Sequence, residues 1–106
     1  MKLLDAQQLF VLNIARLIIW AYDRGYKLTF GESYDDDGVG HMKNSNHYIR
    51  LAQDFNLFKD NKYMTDSEAH RELGEYWKSL HPLNAWGGDF KSTDGNHYSV
   101  LWKGRT

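Results

Sequence analysis

His47 and Asp54 stand seven residues apart in a run, residues 45–55, that otherwise suits a buried strand. Successive strand side chains point to opposite faces, so an odd separation sends these two apart, roughly 23 Å along a regular strand. Both side chains can bind a divalent metal, and a common ion needs each donor within about 2.0–2.2 Å. If both are ligands, the chain must therefore turn between them, around residues 48–50, and residues 51–57 then run on as the buried strand. A second pair lies near the C-terminal end in Asp94-Gly95-Asn96-His97, a turn signal that leads into a strand at residues 98–102. If that turn is tight, Asp94 and His97 lie side by side across its mouth. Two imidazoles and two carboxylates make three ligands and one spare acid, the composition of a catalytic zinc site.

Each of these residues alone has an ordinary explanation. A lone His47 reads as a hydrogen-bonded structural histidine, Asp54 as a loop or cap residue, and Asp94 as a turn former. The combination is what calls for chemistry.

The rest of the chain supplies a scaffold. At 106 residues with 42% hydrophobic content it reads as one globular domain, residues 1–106, rather than a disordered segment. Residues 5–24 form an amphipathic helix, with Asp5 as N-cap, Gln8 in the capping-box position and Gly25 as the stop. Its core stripe is Phe10, Ile14, Leu17 and Ala21, widened by Val11 and Ile18, while Asn13 and Arg16 read as solvated. The same two polar residues interrupt the apolar run, and no small-residue cleavage signal follows it. The run is therefore read neither as a signal peptide nor as a membrane-spanning segment.

Residues 26–30 alternate in the strand period, and an acidic glycine-rich loop follows at residues 35–40. Its three aspartates lack the alternating ligands and closing glutamate of an EF-hand, so a solvated loop is expected rather than a calcium site. Asn56, Asp60 and Asn61 mark a loop after the second strand. Thr65 and Glu68 form a capping box for a second helix, whose stripe is Ala69, Leu73, Tyr76, Trp77 and Leu80. His70 and His81 on this helix read as structural or capping groups. Trp86-Gly87-Gly88 signals a tight turn or a close backbone approach.

A net charge of −1 gives no electrostatic reason to expect nucleic acid. With no cysteine, thiolate sites and disulfides are excluded, and any metal must sit on His, Asp or Glu.

Taken with their flanking residues, the four chemical residues resemble the M15 peptidases, the group of zinc D-Ala-D-Ala carboxypeptidases and phage L-alanyl-D-glutamate endopeptidases. Ser45, His47, Ala52 and Asp54 match the family run Ser-x-His-x-x-Gly-x-Ala-x-Asp, and Asp94 with His97 match its downstream acid and histidine. The tracts at residues 50–58, 68–71, 74–77 and 86–88 resemble a phage-encoded branch.

The resemblance implies an α+β fold, two main helices packed on a small, mainly antiparallel sheet. It implies zinc held by His47, Asp54 and His97, with Asp94 as general base. It also implies peptidoglycan stem peptides as substrate, cut between L-Ala and D-Glu by a phage or prophage lysis enzyme. The alternatives are a D,D-carboxypeptidase, or a non-catalytic wall-binding or virion domain that keeps the metal site. The enzyme is expected to be a monomer with no membrane insertion, made in the host cytoplasm without a signal peptide and acting at the cell wall or periplasm after release.

Two residues depart from the family pattern. Arg50 stands where the family has glycine, inside the turn that the spacing demands. The arginine that follows the family's Gly-Glu-x-Tyr segment is replaced by Asp35, after Gly31-Glu32-Ser33-Tyr34. Arg50 is the expected substitute for that positive charge, as an oxyanion or substrate contact.

Overall fold

The turn that the spacing demands is present. A computed structural model describes residues 1–31 and 45–106, and in it Asn46–Ile49 form a short 3-10 turn ahead of strand β2, Ala52–Lys59. Two helices, α1 (Leu3–Asp23) and α2 (Arg71–Leu80), pack on a five-stranded antiparallel sheet, so the α+β expectation holds. The other strands are β1 (Tyr26–Phe30), β3 (Lys62–Met64), β4 (Asn84–Trp86) and β5 (His97–Val100). The main path runs β1-β2-β5-β4, and β3 pairs with the far end of β2. The acidic residues 35–37, with the calcium question attached to them, lie outside the described residues.

Helix α1 buries Ala6, Phe10, Asn13, Leu17 and Ala21, one stripe at helical spacing. By length and composition alone the helix is apolar enough to cross a membrane, and here that stripe is part of the protein core. Three details differ from the sequence expectation. Asp5 is not the N-cap: the helix starts at Leu3 after Lys2, and the Asp5 carboxylate accepts the Lys2 N–H at 3.3 Å. Val11 lies outside the core stripe and is 67% exposed. Asn13 is buried rather than solvated, its Oδ1 accepting from Arg16 at 2.9 Å, which satisfies an amide carbonyl that would otherwise be costly to bury.

Strand β2 is the spine of the sheet. Its last five residues pair with β1 in the register Tyr26 with Lys59 through Phe30 with Phe55. Asn56, placed by its side-chain type in the loop, lies inside this strand, and the turn is Asp60-Asn61, both with positive φ. Helix α2 is capped by Asp66 rather than Thr65: the Asp66 Oδ1 accepts from Ala69 N at 2.8 Å, ahead of a 3-10 turn at Ser67–His70. Leu73 and Trp77 are fully buried on its inner face, and Phe10 of α1 meets Trp77 edge-to-face at 5.7 Å. The Trp77 indole donates to the Ala85 and Ser99 carbonyls, joining α2 to β4 and β5. The last strand ends at Val100 rather than Trp102, and a turn closed between Trp102 and Arg105 follows it.

Candidate metal centre

Strand register brings two of the expected ligands together. Residues 52–54 of β2 pair with β5 so that Asp54 stands directly opposite His97. Cross-strand partners project to the same face. The third ligand arrives through the 3-10 turn: Ser45 Oγ accepts from His47 N, and the Asn46 carbonyl accepts from Leu51 N at 2.9 Å, closing the loop before β2 begins. The helix α1 side chain Gln7 donates to the Ile49 carbonyl at 2.9 Å, tying this turn to the core.

Arg50 ends the turn with φ 58 and ψ 37, the left-handed conformation that a glycine would adopt freely. The residue that departs from the family pattern thus adopts a backbone shape that glycine reaches most easily.

The resulting cluster is tight and buried. Asp54 Oδ1 lies 3.1 Å from His47 Nε2 and 3.3 Å from His97 Nδ1. The donor atoms all fall within 4.8 Å of one another, and the two imidazole rings meet near perpendicular at 5.0 Å. His47 is 1% exposed and His97 4% exposed. Burial pushes the Asp54 carboxyl up, but the His47 and His97 rings beside it outweigh burial and hold it below the usual carboxylate range.

Two imidazole nitrogens and a carboxylate oxygen at this separation can hold a metal ion. The donor set is one that zinc favours in sites with an open coordination position, and the protein offers no thiolate.

Asp94 opens the tight turn that ends at His97, whose N–H it accepts at 3.1 Å through its main-chain oxygen. That turn is held from three sides. Asp94 N donates to the Gly87 carbonyl, Gly95 N to Ser67 Oγ, and the Trp86 indole donates to the Gly95 carbonyl at 2.7 Å. The close backbone approach read from Trp86-Gly87-Gly88 is real, because a Cβ on Gly87 would lie 2.0 Å from the Asp94 oxygen. Asp94 also lines a polar cavity of about 180 Å³ together with Asn56, Asn96, Asp66 and His70.

A family model described as D-alanyl-D-alanine carboxypeptidase, of the M15 peptidases, matches residues 39–100. The chain belongs to the M15 family. These peptidases are metal-dependent, and the match spans all four chemical residues, from His47 to His97. No curated protein matches the chain.

His70 is not part of the M15 metal group. It is 3% exposed, and its Nδ1 lies 2.7 Å from the Tyr98 hydroxyl, a structural role as its sequence context suggested. Sequence pattern gave no warning of Asn46, fully buried beside His47, whose Nδ2 donates to the carbonyls of Val100 and Arg105. The only hint available was its position next to a candidate ligand.

Proposed function

We propose that this M15 peptidase is a zinc enzyme that hydrolyses the stem peptides of bacterial peptidoglycan, cutting between L-Ala and D-Glu in phage or prophage lysis. The observation that carries the reading is the convergence of His47, Asp54 and His97 on one point, with Asp94 three residues before His97 on a turn clamped from three sides. Bound there, zinc would supply a Lewis acid for the scissile carbonyl and make the attacking water easier to deprotonate near neutral pH. His47, Asp54 and His97 would hold it. Asp94 is the general base: its carboxylate takes the proton from the attacking water and returns it to the leaving amine. Arg50, exposed at the end of the His47 turn, is the candidate for the charge that the family places elsewhere. The enzyme would reach its substrate from the host cytoplasm after the membrane is breached.

Asp94→Ala tests the assignment. Zinc content should stay at wild-type level while muropeptide cleavage falls by about 10²–10⁴-fold, the usual contribution of a positioned general base. Full activity in this variant rules the role out.

A D,D-carboxypeptidase is the second reading, favoured by the description carried by the matching family model. Mass analysis of products from purified muropeptides separates the two, since release of free D-Ala contradicts the endopeptidase assignment.

A further inference from the structure

The residues that follow β5 turn back onto the metal centre. Trp102 N donates to the Arg105 carbonyl and Arg105 N to the Trp102 carbonyl, each at 2.8 Å, with Lys103 and Gly104 between them at φ 46 and 78. Two consecutive positive φ values make a tight hairpin turn of the type that glycine favours. The returning arm is fastened to the turn that carries His47. Arg105 Nη2 donates to the Ser45 carbonyl at 3.2 Å, and the buried Asn46 Nδ2 donates to the Arg105 carbonyl at 2.9 Å. Beyond these ties the Thr106 main-chain oxygen lies 2.7 Å from His97 Nε2.

His97 faces Asp54 with its other nitrogen, Nδ1. A main-chain oxygen can only accept, so the contact at Nε2 is satisfied when the ring proton is on that nitrogen. The proton there leaves Nδ1 with its lone pair free, the form that a metal ligand needs.

We propose that residues 102–106 are a working part of the metal centre, with the Thr106 main-chain oxygen acting as the positioning group that fixes the ring orientation and tautomer of His97. Through Asn46 and Ser45 the same arm braces the turn that carries His47. The inference rests on the metal-site reading above.

Gly104 gives a test that touches neither ligand nor base. A Cβ there meets nothing within 4 Å, so a substitution acts only through the positive φ. Gly104→Val strains the turn, whereas Gly104→Asn tolerates it. Zinc affinity is measured by chelator competition under conditions where circular dichroism shows all variants folded. The expected result is 10–100-fold weaker zinc binding in Gly104→Val, the usual cost of losing an outer hydrogen bond to a ligand, and affinity within about threefold of wild type in Gly104→Asn. Equal affinity in Gly104→Val and wild type overturns the proposal. Wild type that binds no zinc overturns the metal-site reading itself, and this inference with it.

If Gly104→Val fails to fold, nitrogen-15 NMR of the zinc-loaded wild type decides. A His97 Nε2 proton protected from exchange with water supports the assignment, and an unprotonated or freely exchanging Nε2 overturns it.

Discussion

Arg50 shows how a single residue reconciles two constraints. The metal pair needs a reversal between His47 and Asp54, and the reversal needs a left-handed residue, which the arginine supplies at φ 58. An L-residue other than glycine is strained there by roughly 1–2 kcal/mol. Glycine would relieve this but would lose about 0.5–1 kcal/mol more backbone entropy on folding. Arg50→Gly should therefore raise the unfolding free energy by roughly 0.5–1 kcal/mol, seen as a higher denaturant midpoint at unchanged m-value. The same variant reports on the side chain: if Arg50 contacts substrate, muropeptide cleavage falls although stability rises.

At the scale of elements, the 3-10 turn leading into α2 is pinned to β5 by His70 and Tyr98. Burial pushes the His70 ring down from 6.5 to about 4, with Asp66 and Asp54 opposing the shift, and burial pushes the Tyr98 hydroxyl up. In the folded state His70 is thus neutral at pH values where the unfolded chain is already protonated. A depressed imidazole contributes no penalty above the unfolded value of 6.5, and stability falls as pH drops from there toward 4, because the unfolded state binds the extra proton. Lowering the pH from 7 to 5 should cost about 2 kcal/mol through this group alone. Denaturant unfolding across that range checks it, and His70→Gln should flatten the slope relative to wild type. The clamp around Asp94 is built at the same scale, since Trp86 of β4, Gly87 after it and Ser67 before α2 all hold one four-residue turn.

Across the whole molecule, the candidate metal group draws its residues from the 3-10 turn, from β2 and from β5, so a bound metal would be linked to folding. Zinc at 100 times its dissociation constant should stabilise the fold by about 2.7 kcal/mol. For a domain of this size that is a rise in Tm of roughly 10–20 °C. Calorimetry with and without zinc measures the shift, EDTA should reverse it, and His97→Ala should abolish it.

Much of this organisation was legible in the residues themselves. The odd interval between His47 and Asp54 demanded a turn followed by a strand, and the stripes of α1 and α2 followed from 3.6-residue periodicity. The family motifs singled out His47, Asp54 and His97, which the fold gathers into one group, and Asp94, which it sets on the turn leading to His97. What stayed hidden depended on partners distant along the chain. Asn13 is polar by type, yet a hydrogen bond from Arg16 lets it be buried within the helix stripe. The short strand β3 became visible only through its pairing with the end of β2. The Asn46 side chain reaches the Val100 and Arg105 carbonyls, and the Thr106 main-chain oxygen lies against His97, contacts with main-chain oxygens that no side-chain pattern encodes. Local spacing thus determined which residues could bind a metal and where the chain had to bend. Only the register of β2 against β5 and the return of the final arm decided which atoms meet, because hydrogen bonds between distant segments leave no periodic trace in either one.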